Sequence, residues 1–251
     1  MGCADLHIHS TWSDGLLNPH MILNYLAVLN IEYNRKYGRN YLDVIAITDH
    51  DEVAGAYEAR DYSRHFRLGI DVLIGAEVST LDGHVVALDI EQNISPGKSA
   101  AWTVDAIHEQ GGLAVAAHPY TPSYLFLMLP FMKQLRGVGS LLKELDFDAV
   151  ETVNANITEL IIGNNMNKRV NRKFRQLPEL GSSDAHFISA FEKAYTRFPG
   201  HSKEDFLAAV KHGKTTAHGR VWSPFDLVRF LHDKYRLHKV CKEKGILPHH
   251  L

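Results

Sequence analysis

The chain has 251 residues, of which 45% are hydrophobic and 22% charged, a composition typical of a soluble globular protein. Its formal net charge is −2, so no basic excess indicates nucleic-acid binding, although a nucleic-acid partner stays possible. The two cysteines, Cys3 and Cys241, form no disulfide framework, and a strand is predicted too early for a signal peptide. These features favour a cytoplasmic protein.

Short β-rich runs alternate with helical patterns along the chain. Strands are predicted at 4–9, 41–48, 71–78, 84–90, 113–117, 148–153, 179–182 and 214–217. Helices are predicted at 18–37, 53–66, 99–110, 122–145, 158–177, 202–212 and 225–244. The apolar stretch 124–135 is too short to span a bilayer and contains Pro130, so no membrane association is expected.

The alternation predicts an α/β fold with a parallel sheet, and about seven strand–helix units predict a closed, TIM-like barrel. No linker interrupts the pattern, so residues 1–251 are predicted to form one barrel domain, with 222–251 as a C-terminal helical extension. In such barrels the active site lies at the carboxyl ends of the strands. The segment 120–145 is predicted to cover the barrel, with a lid or a dimer contact as alternatives.

Imidazole and carboxylate side chains stand at the ends of the predicted strands or just after them. They are His7, His9, Asp14, His50, Glu77, His84, His118, Asp184 and His186. Because strand ends meet at one rim of a barrel, these groups can converge although they are spread over most of the chain. Nitrogen and oxygen ligands without cysteine favour divalent cations of the Zn, Mn or Fe type.

The spacing within strands supports this interpretation. His7 and His9 are two residues apart, as are Asp184 and His186, and a period of two places both members of a pair on one face of a strand. Glu77 ends an apolar run, where an unpaired carboxylate would be costly to bury. A position that bridges two cations fits Glu77 best.

The other candidates have weaker individual signals. His50 follows an apolar strand together with Asp49, a carboxylate suited to orienting an imidazole. His84 opens a strand, and His118 precedes Pro119, which predicts extended backbone at the histidine. Each alone is more often structural, and the joint pattern is what favours a metal site.

Six motifs resemble those of the PHP family, named for polymerase and histidinol phosphatase. They are Asp5-Leu6-His7-Ile8-His9-Ser10, Ser13-Asp14-Gly15, Thr48-Asp49-His50, Gly75-Ala76-Glu77, Ala117-His118-Pro119 and Ser183-Asp184-Ala185-His186. The resemblance extends from Asp5 to about Gly213. It implies a distorted (β/α)7 barrel and a trinuclear metal site that hydrolyses phosphate esters.

On the matching positions the resemblance implies three divalent cations per chain. The first would be held by His7, His9, Glu77 and Asp184. Glu77 would bridge to the second, which His84 and His118 would also hold. The third would be held by Asp14, His50 and His186. Many relatives have histidine where Asp14 stands, so the carboxylate changes the charge and softness of the third site.

The resulting hypothesis is a metal-dependent phosphoesterase in which a hydroxide shared by two cations attacks phosphorus. The residues expected at the reaction centre are Glu77, Asp184, His186 and His50. Asn154, at the end of a predicted strand, and Arg197, shortly after the last motif, are candidate contacts to substrate or phosphate. The expected substrate is a small phosphorylated metabolite or a nucleotide, and monoesters and diesters both remain open.

Four other functions stay open. The first is histidinol-phosphate phosphatase, and the second is a nuclease or nucleotide phosphodiesterase. The third is a non-catalytic metal-binding PHP module that partners a larger complex. The fourth is an amidohydrolase-type barrel acting on C–N bonds, which usually needs a metal-bridging lysine. No lysine falls at a strand end among the motifs. The patterns specify no oligomeric state.

Overall fold

The computed structural model describes residues 1–121, 136–159 and 163–223, together with 225, 226, 228, 229, 231, 232, 235 and 236. Its strands are β1 (Gly2–Ile8), β2 (Val44–Ile47), β3 (Asp71–Ser79), β4 (His84–Leu88), β5 (Leu113–Ala116), β6 (Ala149–Asn154), β7 (Glu179–Ser182), β8 (Ala194–Phe198) and β9 (Thr216–Gly219). Its α-helices are α1 (Pro19–Tyr37), α2 (Ala54–Phe66), α3 (Ala100–Glu109), α4 (Gly163–Val170) and α5 (Lys203–Lys211). The strands form one sheet in the order β7-β6-β5-β4-β3-β2-β1-β8-β9.

Local capping signals explain where two of the helices begin. The Asn18 side chain accepts a hydrogen bond from the Met21 N–H, and Pro19 in the first turn has no N–H to leave unpaired. At the start of α5, the Ser202 hydroxyl accepts from the Asp205 N–H while the Asp205 carboxylate accepts from the Ser202 N–H. The predicted starts of both helices are confirmed.

The two faces of the sheet belong to different cores. The outer face packs against α1, α2 and α3, and its core includes Ile22, Leu23, Leu26, Ile45, Ile47, Ala56 and Ile107. The inner core consists mainly of Ala4, Leu6, Val44, Leu73, Val86, Val115, Leu180, Phe198 and Phe206. Phe206 belongs to α5, whose first residue, Lys203, donates its N–H to Asp71 at the start of β3. Helix α5 therefore fills the end of the barrel at which β3 begins.

The sheet curls until its ends approach each other. Ile8 at the end of β1 forms a parallel bridge with Ala185, which follows β7. The His9 N–H donates to the Ala185 carbonyl at 2.9 Å, and the Gly181 N–H of β7 donates to Thr196 Oγ1 of β8 at 2.9 Å. The result is a nearly closed α/β barrel, which confirms the predicted TIM-like architecture.

The predicted parallel sheet is correct in part. Pairs β1–β2, β2–β3, β5–β6 and β6–β7 are parallel, but β4 runs antiparallel to both β3 and β5. The short turn between Ser79 and His84 is the reason, because a parallel connection needs a crossover of a dozen or more residues. Strand β8 was not predicted, and it pairs antiparallel with β1 and with β9.

Three predicted helices differ from the structure or extend beyond it. Of the helix predicted at 122–145, residues 122–135 lie outside the described residues, and Gly139–Lys143 form a 3-10 turn. The helix predicted at 158–177 is divided into a 3-10 turn, α4 and a π-type turn. The described residues from 225 to 236 are helical. The predicted C-terminal extension beyond them stays a prediction. Among the described residues, no helix combines the length and apolar character needed to cross a bilayer.

Candidate metal centre

A β-bulge in β1 turns two histidines towards the inside of the barrel. The register of β1 against β2 shifts between Asp5 and Ile8. Leu6 therefore lies in the inner core, whereas Ile8 lies in the outer core. His7 and His9, on either side of Ile8, are buried with their Nε2 atoms 3.1 Å apart. Bulges of this kind commonly redirect side chains beside active sites.

The first group of candidate ligands consists of His7, His9, Glu77 and Asp184. Glu77 Oε2 lies 3.2 Å from His7 Nε2 and 3.3 Å from His9 Nε2. Asp184 Oδ1 lies 3.4 Å from His9 Nε2 and 3.8 Å from His7 Nε2. All four residues are at most 2% exposed. Their donor atoms come from β1 and the residue after it, from β3 and from the segment after β7, so the fold brings together the four residues predicted for one cation.

The second group lies on the other oxygen of Glu77. Glu77 Oε1 is 2.7 Å from His84 Nδ1 and 3.1 Å from His118 Nε2. His84 is the first residue of β4, and the antiparallel direction of this strand brings its start to the rim where the neighbouring strands end. The carboxylate of Glu77 thus faces one group with each oxygen, which is the arrangement expected of a bridging ligand.

The third group consists of Asp14, His50 and His186. Asp14 Oδ1 lies 3.1 Å from His186 Nε2 and 3.9 Å from His50 Nε2. His50 also reaches the first group, because its Nδ1 is 3.3 Å from Glu77 Oε2. The side chains of Asp14 and His50 are 38% and 20% exposed, unlike the buried first group. This group therefore marks the mouth of the site. We call the nine side chains of the three groups the rim cluster.

The rim cluster fits divalent cations better than a network of hydrogen bonds. The Oδ1 atom of Asp14 and the Nδ1 atoms of His50 and His84 are buried, and the carboxylate or imidazole atoms that lie 2.7–3.3 Å from them do not have the direction of a hydrogen bond. Within the described residues, every ion pair that Asp14, Glu77 or Asp184 forms is with a histidine. Nitrogen and oxygen donors that converge in this way suit Zn, Mn or Fe.

Burial and neighbouring charges act against each other in this cluster. Burial lowers the pKa of His50 to about 4, so this imidazole is neutral at pH 7. Burial alone would lower the pKa of His118 as well, but Glu77 beside it raises that pKa to about 9. Burial disfavours ionised Glu77, yet His84 and His7 hold its pKa well below its usual range. Without a cation, His118 is protonated at pH 7, so a metal that binds this imidazole would release a proton.

Sequence reasoning missed Glu151, which supports the ligands from behind. A register shift between Glu151 and Val153 in β6 lets Glu151 and Asn154 face the same side of the sheet. Glu151 Oε1 is 3.0 Å from His7 Nδ1, and Glu151 Oε2 accepts from the Asn154 amide at 3.0 Å. The available signal was a carboxylate inside an apolar strand, the same signal that identified Glu77.

Asn154 and Asn156 hold Asp184 rather than facing solvent. Their Nδ2 atoms lie 3.3 and 3.2 Å from Asp184 Oδ2, which leaves Oδ1 directed at the histidines. Asn154 is fully buried and was predicted as a substrate contact. Because its amide donates to Asp184 and Glu151, the structure places it behind the ligands instead.

Asp49 supports the loop after β1. Its carboxylate accepts hydrogen bonds from the Ser10 N–H, the Ser10 hydroxyl and the Ser13 hydroxyl at 2.6–2.7 Å. Ser13 Oγ in turn lies 3.4 Å from His9 Nδ1. Asp49 therefore acts on the imidazole of His9 through Ser13, and not on that of the adjacent His50.

The backbone is strained at two members of the rim cluster. His118 has a φ of 28° and Asp184 a φ of 50°, both in the left-handed region. The prediction of extended backbone at His118, based on Pro119, is therefore wrong. The His118 N–H donates to Glu151 Oε2 at 3.0 Å, which helps to hold this conformation. Strained residues of this kind persist where surrounding contacts fix them, commonly at functional sites.

Arg197 does not join the rim cluster. It pairs with Cys3 near the start of β1, whereas His9 lies just beyond the end of that strand. Six residues of extended chain separate these positions by about 20 Å. Antiparallel β8 carries Arg197 away from the rim, which contradicts its interpretation as a phosphate contact.

Known proteins resemble this chain in sequence and in fold. Residues 163–215 match a family model described as PHP-associated. An uncharacterized protein of Methanocaldococcus jannaschii is 32% identical over 187 residues, which cover 70% of this chain and 94% of that protein. A 5'-3' exoribonuclease of Haemophilus influenzae is 35% identical over 92 residues, which cover 35% of this chain and 29% of the relative.

A solved structure has the same fold. It is a two-domain protein of Bacteroides vulgatus that contains a predicted PHP-like metal-dependent phosphoesterase. It matches with a TM-score of 0.62 at 18% identity, over 87% of this chain and 64% of that one. This chain therefore spans less than two thirds of that protein. Together with the barrel and the motifs at its rim, these relatives show that the chain belongs to the PHP family of metal-dependent phosphoesterases.

Proposed function

We propose that the chain hydrolyses phosphate esters at the rim cluster with bound divalent cations, up to three per chain and of the Zn, Mn or Fe type. The observation that carries this proposal is the convergence of eight ligand-type side chains at one end of the barrel, with His84 joined to them through Glu77. Their assignment to three sites follows the three groups described above, with Glu77 shared between the first and the second.

Bound cations would act as Lewis acids and lower the pKa of water towards neutrality, which provides a nucleophile at physiological pH. The side chains of the protein would hold these cations in place. Glu77 presents one oxygen to each of two groups, and Asp184 presents Oδ1 while Asn154 and Asn156 hold Oδ2. We assign Glu77, Asp184, His50 and His186 to the reaction centre.

The exposed side of the rim cluster is where the substrate would enter. Asp14 and His50 are its most exposed members, so the phosphoryl group would approach past them. Because burial lowers the pKa of His50 to about 4, its imidazole is neutral at pH 7 and retains a lone pair for a cation or a proton. A histidine in that state is suited to a ligand or a proton acceptor at the mouth.

The substrate class that we propose is a phosphorylated small metabolite or a nucleotide. The exoribonuclease relative supports a second candidate, which is cleavage of phosphodiesters in an oligonucleotide. Ligand spacing is compatible with both, because monoesters and diesters present similar phosphoryl oxygens to the cations.

The test is hydrolysis of p-nitrophenyl phosphate and of bis(p-nitrophenyl) phosphate with Mn²⁺, Zn²⁺ or Fe²⁺ supplied, combined with elemental analysis of metal per chain. We expect turnover of at least one ester and loss of turnover in His118→Ala. The control is His65→Ala, an exposed histidine on α2 away from the rim cluster. Absence of turnover of both esters with every metal would contradict the proposal.

A further inference from the structure

A buried hydroxyl and a buried carboxyl lie behind His118, on the side away from Glu77. Thr121 Oγ1 is 3.2 Å from His118 Nδ1 and 2.6 Å from Glu159 Oε1. Glu159 is 2% exposed, and no cationic side chain lies within 4.0 Å of its carboxylate in the described part of the chain. Neither residue stood out in the sequence as part of a motif.

The positions of these atoms determine where the protons lie. A threonine hydroxyl has one proton, and the shortest contact of Thr121 Oγ1 is with the carboxylate of Glu159. The contact of Oγ1 with the His118 carbonyl is longer, at 2.8 Å, so the hydroxyl proton is directed at Glu159. The remaining lone pairs of Oγ1 then accept the proton of His118 Nδ1. This tautomer leaves Nε2, on the Glu77 side, with the lone pair that a metal needs.

The surroundings of Glu159 keep its carboxylate in place. Asn167 Nδ2 lies 3.4 Å from Glu159 Oε2, and Asn167 Oδ1 accepts the N–H of Tyr120. A Cβ atom at Gly163 would collide with the Glu159 carboxylate, so this glycine leaves the space that the carboxylate fills.

We propose that Thr121 and Glu159 are positioning residues that hold His118 in the Nδ1–H tautomer and so determine the affinity of the second metal site. The inference rests on the proposed function for the existence of that site. It assigns no contact between Thr121 or Glu159 and the substrate.

The experiment compares metal binding by the full chain and by its Thr121→Val variant, which removes the hydroxyl at nearly constant volume. Metal-free protein is titrated with Mn²⁺ and with Zn²⁺ in a calorimeter, and bound metal is counted after dialysis. We expect the affinity of one site to fall by about 10–100-fold, the usual effect of losing a partner of a liganding histidine. Thr121→Ser keeps the hydroxyl and is expected to restore binding.

The matched control is Thr103→Val on α3, because the Thr103 hydroxyl is buried but makes no hydrogen bond within the described residues. It is expected to bind metal like the unaltered chain. Glu159→Gln, with a weaker neutral acceptor, is expected to lower the affinity less than Thr121→Val. If Thr121→Val does not fold, the metal affinity of Glu159→Gln tests the proposal by itself.

The outcomes separate this inference from the proposed function. Binding at unaltered affinity by both Thr121→Val and Glu159→Gln overturns the positioning role, even if the chain hydrolyses esters. Weakened binding by these variants supports the role even if the unaltered chain hydrolyses no ester tested. If the unaltered chain binds no divalent cation, both proposals are overturned.

Discussion

At the scale of single residues, Glu77 connects the parts of the rim cluster. Its Oε2 lies within 3.3 Å of His7, His9 and His50, and its Oε1 lies within 3.1 Å of His84 and His118. No other carboxylate in the described residues faces so many imidazoles. The geometry of the site therefore depends on the Glu77 side chain, which lies near the end of β3 at the rim of the barrel.

Glu159 is expected to make the free energy of unfolding depend on pH. Burial raises its pKa to about 7, against about 4.3 in an unfolded chain. The folded state therefore holds this proton more tightly. The stabilisation of the metal-free protein by that proton is complete below about pH 4 and is lost as the pH rises through 7. The effect is on the order of 3 kcal/mol.

Glu159→Gln is neutral at every pH, so its free energy of unfolding should lack this loss. Relative to the unaltered chain, the variant should gain stability as the pH rises from about 4 to about 7, as measured by urea denaturation of metal-free protein. The exposed Glu91→Gln is the control and should follow the unaltered pH profile. Parallel profiles for all three proteins would contradict the raised pKa.

At the scale of elements, the sequence was sufficient to predict where a helix begins if capping residues mark its start. Asn18 and Pro19 mark the start of α1, and Ser202 with Asp205 marks that of α5, so both could be predicted. Strand β8 could not, because its five residues have no strong alternation of their own. It is a strand because it pairs with β1, which lies at the other end of the chain.

Asn30 links α1 to the start of the next strand segment and provides a prediction at this scale. Its Oδ1 accepts from the N–H groups of Tyr41 and Leu42, and its Nδ2 donates to the Leu42 carbonyl. Asn30→Ala leaves three buried backbone groups without partners, so we expect a loss of about 2–4 kcal/mol in the free energy of unfolding. Chemical denaturation measures this loss. The control is Asn24→Ala, whose amide, within the described ranges, bonds only to the Tyr62 hydroxyl at the surface. An equal loss in both variants would contradict the argument.

At the scale of the whole molecule, the ligands of the rim cluster were predictable because each follows or opens a strand. The residues behind them were not, because their roles depend on distant parts of the chain. Glu151 reaches His7 only because β1 and β6, far apart in the sequence, face the same interior, and Glu159 reaches Thr121 only because the segments after β5 and β6 meet. Strand-end position is visible in a sequence, whereas the meeting of two connecting segments is not.

The same long-range closure makes metal binding a property of the folded barrel alone. His7 and Asp184 are far apart in the sequence and meet only when the segment after β7 pairs with the end of β1. Cations that bind the folded state stabilise it by about 1.4 kcal/mol per site for each tenfold rise in free metal above the dissociation constant.

The midpoint of thermal unfolding should therefore rise steadily with Mn²⁺ concentration and fall when a chelator is added. Glu77→Gln should flatten this dependence because it removes the carboxylate shared by two sites, and Glu91→Gln should keep it. A midpoint that does not change from chelator to millimolar Mn²⁺ would show that the rim cluster holds protons and not cations.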